Sequence, residues 1–159
     1  MTCSVRLAQK TDMADVLQLI KELAHFEKEP DAVELTVTDL ERDGFGETPA
    51  FTCFVAENQD QIIAMALVYM RYSTWKGPAL HLEDLIVKKD LRGEGIGGLL
   101  LDEVVKHGHK LGVKRICWEV LDWNESAIAF YKQRGAKVKR EWDVVQLDEQ
   151  GIRNYISNL

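Results

Sequence analysis

The chain has 159 residues, 46% of them hydrophobic, with 20 Lys and Arg against 26 Asp and Glu and a net charge of −6. That length supports one domain with a real core, taken as residues 1–159, and no apolar run is long enough to cross a membrane. The negative balance argues against a nucleic-acid partner and is compatible with a cationic substrate.

The start, Met1–Arg6, lacks the charged and apolar regions of a signal peptide. Cys3, Cys53 and Cys117 are far apart and odd in number, which reads as free thiols in a reducing cytoplasm. Val5 to Ala8 alternates as a short strand. Thr11 or Asp12 can cap a following helix whose apolar face is Val16, Leu19, Ile20, Leu23 and Phe26, with Pro30 marking its end. Glu27, Glu29 and Asp31 cluster beyond that face. Alone they read as a solvated acidic helix end; beside a cleft they would form an ammonium-binding rim. Thr38 opens a shorter helix, 39–43, stopped by Gly44 and Gly46. Phe51 to Ala56 reads as a strand, joined by a turn at 58–61 to a second strand from Ile62 to Tyr72. A loop, 73–78, carries Trp75, and Ala79 to Val87 is the next strand.

Four glycines and an arginine follow, in Arg92-Gly93-Glu94-Gly95-Ile96-Gly97-Gly98, where that strand gives way to a helix. The helix is marked by Ile96, Leu99, Leu100, Val104, Val105 and Leu111 at helical spacing. A helix start carries unpaired N–H groups and partial positive charge, and glycines let phosphate oxygens reach the backbone. Arg92 adds a planar cation. The stretch therefore reads as a pyrophosphate cradle, against a loop that merely turns the chain. It is not a Walker loop, since no Lys-Ser/Thr follows. Gly93, Gly95 and Gly98 fit G-x-G-x-x-G, with Glu119 about twenty residues on, so a dinucleotide site is a rival. Against that rival, the motif falls in mid-chain and no second mononucleotide half follows.

Downstream, Lys114 to Leu121 reads as a fifth strand. Asn124 is an N-cap for a helix from Glu125 to Arg134, which Gly135 ends. Lys139 to Leu147 reads as a last strand and Asp148 to Ile156 as a terminal helix. The order is β-α-α-β-β-β-α-β-α-β, an α/β arrangement in which one mixed sheet carries helices on both faces.

Two further segments carry chemistry. In His81-Leu82-Glu83-Asp84, strict alternation sends Leu80 and Leu82 one way and His81 and Glu83 the other. Two adjacent carboxylates in an apolar strand each need a partner or water. Glu83 could bind a substrate ammonium and drain its proton, which an amine with a pKa near 10 must lose before it can attack. On the helix after Asn124, Tyr131 lies on the same face as Asn124. Its phenol could protonate a leaving thiolate, although by itself it reads as a core tyrosine.

The pattern Arg-x-x-Gly-x-Gly, met by Arg92, Gly95 and Gly97, resembles the loop of the GCN5-related acetyltransferases (GNAT) that binds the pyrophosphate of acetyl-CoA. Leu82-Glu83-Asp84, Trp123-Asn124-Glu125 and Phe130-Tyr131-Lys132 look like the diamine acetyltransferase branch. Leu23-Ala24, Phe26-Glu27 and Asp43-Gly44-Phe45-Gly46 extend the likeness, which runs from about residue 5 to 136. The resemblance implies the GNAT fold, a single mixed, mostly antiparallel sheet splayed in the middle. It implies acetyl-CoA as co-substrate, held by Leu85, Ile86, Val87, Arg92, Gly93, Glu94, Gly95, Ile96, Gly97 and Gly98, with Asn124, Ser126 and Arg134 lining the channel. It implies Tyr131 as general acid, Glu83 as the group that binds the amine and relays its proton, and Phe26, Glu27 and Trp75 beside the amine. Attack would be direct, because neither Cys53 nor Cys117 has a base near it in the sequence pattern. No metal is implied, and a homodimer is. Polyamine-acetylating members carry Tyr-Asp-Pro-Trp where this chain has Tyr72-Ser73-Thr74-Trp75. Ser73-Thr74-Trp75-Lys76-Gly77, Leu121-Asp122-Trp123-Asn124 and Phe26-Glu27-Lys28 look more like thialysine acetyltransferase members, and the likeness points to a lysine-like amine, with a polyamine as the alternative. A non-catalytic acyl-CoA-binding protein and a dinucleotide-dependent oxidoreductase remain the readings from other classes.

Overall fold

A computed structural model describes residues 3–159; Met1 and Thr2, the first two residues of the leader reading, lie outside the described residues. The elements are β1 (Ser4–Leu7), α1 (Met13–Phe26), α2 (Val37–Phe45), β2 (Thr52–Asn58), β3 (Gln61–Ser73), β4 (Gly77–Val87), α3 (Ile96–Lys110), β5 (Ile116–Cys117), α4 (Glu125–Gln133) and α5 (Glu149–Ser157). They fall into two compact units, one running through Glu119 and one from Val120 to Leu159.

In the first unit the strands lie in the order β1-β2-β3-β4-β5. Pairing is antiparallel from β1 to β4 and parallel between β4 and β5. One face of the sheet is covered by α1 and α2. Met13, Val16, Leu17 and Leu19 of α1 and Leu40 of α2 pack with Cys53, Val55, Met65, Leu67 and Ile86 of the strands. The opposite face meets α3, where the Phe54 ring lies edge-on to His107. The buried stripe of α3 is Ile96, Leu100, Leu101, Val104 and Gly108, one face at 3.6-residue spacing. Leu99, Val105 and Leu111, expected in that stripe, are exposed because they sit on its flanks. No helix among the described residues is long and apolar enough to cross a membrane.

Several local expectations need correction. The helix α1 follows a short 3-10 turn, Lys10–Asp12, and ends at Phe26, well before Pro30. Lys28 takes a left-handed φ of 68° just beyond it. The Asp12 side chain does not cap α1. It accepts the Gln9 N–H at 2.7 Å and pairs with Arg6 at 2.7 Å, and Arg6 holds its carboxyl below the usual range. Thr36, not Thr38, opens α2: its hydroxyl accepts the Asp39 N–H while the Asp39 carboxylate accepts the Thr36 N–H. Gly44 lies inside α2, and Gly46 ends it. The fifth strand, expected over 114–121, is only two residues long, because its ladder to β4 stops at Cys117.

In the second unit Asn124 caps α4, accepting the Ala127 N–H, and Asp148 caps α5, accepting the Gly151 N–H. The strand expected from Lys139 to Leu147 is not formed among the described residues. Its apolar residues Trp142, Val144, Val145 and Leu147 are exposed, with no neighbouring strand to pair them.

Gly44 tests the packing under α2. A Cβ there would lie 2.5 Å from the tip of the Phe51 ring. Glycine to alanine in a helix interior normally gains about 1 kcal/mol, but overpacking against a rigid ring costs about 1–3 kcal/mol. Gly44→Ala is therefore expected to destabilise the protein in a chemical-denaturant titration. A stabilised variant would mean that Phe51 moves aside freely.

Candidate active site

The site begins with a fault in β4. Opposite β3, Val68 pairs with Leu82 but Leu67 pairs with Asp84, so Glu83 is one residue more than the ladder accommodates. Neighbouring residues of β3 face opposite ways. Asp84 therefore faces away from Leu82, against strict alternation, and shares the side of Leu67 and Ile86 under α1 and α2. Glu83 is pushed outward, with about half of its side chain exposed (53%).

Around Glu83 the polar groups converge. His81 is buried, and its Nε2 lies 3.5 Å from Glu83 Oε2. The Tyr69 hydroxyl also bonds to Glu83, and burial followed by that carboxylate's charge raises the Tyr69 phenol. The Tyr69 and His81 rings lie 5.0 Å apart. On the other side of His81, Nδ1 is 3.6 Å from Cys117 Sγ. Cys117 therefore does have a base beside it, which the spacing in sequence did not reveal. Cys53 is different: burial pushes its thiol to about 12, which keeps it protonated.

Asp84 is the residue that sequence reasoning underused. Its carboxyl is pushed up to about 6, first by burial and then by the charges of Glu83 and Glu27. Glu27, at the C-terminal end of α1, is itself raised by partial burial of its carboxyl. So three carboxyls, Glu27, Glu83 and Asp84, act on one another where α1 ends over β4. Such a group attracts a cation, and Asp84 can hold a proton near neutral pH.

The glycine loop is the second part. Gly93 and Gly95 have left-handed φ of 87° and 83°, and added Cβ atoms there would meet nothing within 4 Å. The Gly98 N–H donates to Gly95 O at 3.0 Å and is thereby occupied. The N–H groups of residues 93–97 donate to no partner among the described residues. Five successive donors at a helix start, with open space beside two of them, make an anion cradle. Arg92 is partly engaged elsewhere. Its Nε donates to Val87 O at 2.9 Å, its Nη2 lies 3.6 Å from Glu22, and its guanidinium sits 4.9 Å from the centre of the Phe26 ring. It pins the end of α1 to the end of β4, and an anion would share it. Glu94 is exposed and Ile96 buried. Ile86 has its side chain in the core, so only its backbone is available to a ligand.

Trp75 lies on the turn after β3, 76% exposed, and its N–H donates to Ser73 Oγ at 3.3 Å. Ser73 Oγ also accepts the Lys76 N–H, and Arg115 Nη1 approaches it at 3.5 Å. A guanidinium thus lies beside Ser73, which stands where the polyamine-acetylating pattern has an aspartate.

The remaining predicted site residues belong to α4 and its ends. Ser126 Oγ donates to Asn124 Oδ1 at 3.2 Å. Arg134 lies over the Phe130 ring at 3.8 Å and donates to Phe130 O. Tyr131 packs edge-on to Phe130, and burial raises its phenol, so it stays a neutral proton donor.

The chain matches the Acetyltransferase (GNAT) family over residues 14–136. It is 37% identical over 160 residues to the thialysine N-epsilon-acetyltransferase of Bos taurus, covering 94% of both chains. It is 38% identical over 143 residues to the spermidine/spermine N(1)-acetyltransferase-like protein 1 of Homo sapiens, covering 83% of this chain and 20% of that one. Among solved structures, an integron cassette protein from V. cholerae superimposes with a TM-score of 0.80 at 22% identity, covering 98% of each chain.

The raised Asp84 carboxyl fixes a sign for pH. The folded state binds its proton more tightly than the unfolded chain, whose carboxyl titrates near 3.8. Stability associated with this group is full below about pH 4 and is lost as pH rises through about 6. Asp84→Asn should remove that loss, on the order of 3 kcal/mol at pH 7. Denaturant unfolding of both proteins at pH 4 and pH 7 is the check. Parallel pH profiles would show that Asp84 is solvated in the folded state.

Proposed function

The chain belongs to the acetyltransferase (GNAT) family and is an N-acetyltransferase; from that premise we propose that it moves the acetyl group of acetyl-CoA to the primary amine of a lysine-like small molecule by direct attack. The observation that carries the reading is the run of unpaired N–H groups at residues 93–97, opening onto space at Gly93 and Gly95. In this reading those groups hold the pyrophosphate. The backbone of Leu85, Ile86 and Val87 meets the pantetheine arm where β4 has lost its β5 neighbour. The family resemblance assigns Asn124, Ser126 and Arg134, on α4 and its ends, to the same cofactor. When bound, acetyl-CoA supplies the activated thioester.

The acceptor arrives as an ammonium. Glu83 pairs with that charge, supported by Glu27 and Asp84, while Phe26 and Trp75 offer apolar contact to the methylene chain. The proton leaves to Glu83 and to water, since Glu83 is half exposed. Tyr131, neutral because burial raises its phenol, gives its proton to the departing thiolate. A lysine-like acceptor is favoured over spermidine because Arg115 stands beside Ser73, at the position where a polycation would need a carboxylate. The thialysine activity named for the Bos taurus relative supports the same choice. A polyamine is the alternative acceptor. A homodimer is supported by the uncovered apolar side chains of Trp142, Val144, Val145 and Leu147 and of Ile152, Tyr155 and Ile156 on α5. The three free cysteines support a cytoplasmic location.

The test of the activity is CoA release with a panel of thialysine, lysine, spermidine and short diamines. No turnover with any of them would end the reading. Gly95→Val should weaken acetyl-CoA binding at least tenfold by calorimetry in a protein that still folds. Its φ of 83° suits glycine, and the valine would stand in the space left for phosphate. Unchanged affinity would remove the cradle. Tyr131→Phe should lower kcat by roughly 10²–10⁴-fold with acetyl-CoA affinity retained. A parent-like rate would make Tyr131 a packing residue.

A further inference from the structure

Beside the carboxylates, β4 carries an ordered polar row that begins at Glu83, and its other members, His81, Cys117 and Arg71, have no part in the proposed reaction. It starts at Glu83, whose Oε2 is 3.5 Å from His81 Nε2. It continues from His81 Nδ1 to Cys117 Sγ at 3.6 Å. It ends at Arg71, whose Nη1 lies 4.0 Å from that sulfur. The backbone fixes the row. Tyr69 pairs with His81 across β3 and β4, Arg71 lies two residues further along β3 on the same face, and Cys117 pairs with His81 across β5. Among the described residues Arg71 has no carboxylate partner. One end of the row is therefore a carboxylate and the other a guanidinium, with an imidazole and a thiol side chain between them.

We propose that Arg71 is the carboxylate anchor of the acceptor subsite, so that the row Glu83–His81–Cys117–Arg71 reads a zwitterion with an ammonium at one end and a carboxylate at the other. This rests on the acetyltransferase reading and narrows it to amino-acid acceptors. The lengths agree. An extended lysine-like molecule is on the order of 7 Å from terminal nitrogen to carboxylate, and a hydrogen bond of about 3 Å at each end completes the span. Three contacts of 3.5, 3.6 and 4.0 Å and the width of one imidazole ring set an upper limit on the separation of the two ends, and that limit admits such a molecule. The charge pattern agrees as well. A guanidinium offers a carboxylate a bidentate fork, and the second ammonium of a diamine, unlike the α-ammonium of an amino acid, brings no carboxylate to offset its repulsion by the guanidinium. Arg115, which reaches Ser73 on the neighbouring turn, adds positive charge toward the same end of the hairpin. Specificity then comes from both ends, attraction of one zwitterion and repulsion of a polycation.

The experiment compares two acceptors that differ only in the carboxylate, lysine and 1,5-diaminopentane, with the parent, Arg71→Gln and Arg71→Lys. The parent should prefer lysine. Arg71→Gln should lower kcat/KM for lysine roughly tenfold or more, through KM, and leave 1,5-diaminopentane unchanged or improved. Arg71→Lys should restore part of the loss. Equal effects on the two amines, or no effect on lysine, would overturn the anchor while leaving the acetyltransferase intact. A parent that acetylates 1,5-diaminopentane better than lysine would also overturn it. A parent that acetylates neither would remove the reading on which it rests. Thermal melts of each variant separate loss of recognition from loss of fold.

Discussion

One inserted residue governs the cluster of carboxyls where α1 ends over β4. Without the bulge at Glu83, alternation would place Asp84 beside Leu82 on the side of the sheet that meets α3, and Glu83 under α1. A carboxylate on the α3 side would face a helix whose buried residues, Ile96, Leu100, Leu101 and Val104 among them, are apolar. With the bulge, the two neighbouring acids go to different environments. Glu83 faces water, His81 and Tyr69, while Asp84 goes beneath α1, close enough to feel Glu27. The residues of β4 beyond the bulge then resume alternation in the shifted register, which is why Ile86 joins the core under α1 and α2.

The cost of this arrangement is concentrated and opposed locally. Three carboxyls that repel one another occur where α1 ends, and the same end of α1 is tied down by Arg92. That side chain bonds to Val87 O, approaches Glu22 and covers Phe26. Glu22 also accepts the Lys89 N–H at 2.8 Å. The helix end is thus fixed to the strand end by a cation and a backbone bond, while its acidic residues stay available. This is the usual relation between stability and function, in which a site keeps unfavourable charges and the scaffold next to it absorbs the strain.

Much of this was visible in the sequence. The glycine loop and the helix after it, the hairpin of β2 and β3, and the Asn124 cap each depend on local rules of spacing and side-chain chemistry. What escaped depends on partners. A bulge is a mismatch between two strands, and one strand read alone shows strict alternation. Gly44 resembles a helix stop until the Phe51 ring is seen lying against it. Lys139 to Leu147 has the composition of a strand, but a strand exists only where another strand pairs with it. The row from Glu83 to Arg71 joins three strands, so its members are scattered along the chain.

The shortness of β5 has an effect on how the chain can change over time. Past His81 and Cys117 the ladder ends, so the last residues of β4 offer backbone groups rather than side chains to whatever lies beside them. Backbone recognition asks nothing of residue identity. Leu85 and Val87 answer instead to their places on the sheet, Leu85 opposite Ala66 and Val87 opposite Ala64. Substitutions there are judged by how well they pack, not by what they bind. On the proposed reading this stretch can therefore drift among apolar residues without altering what it binds, whereas Glu83, just before it, cannot.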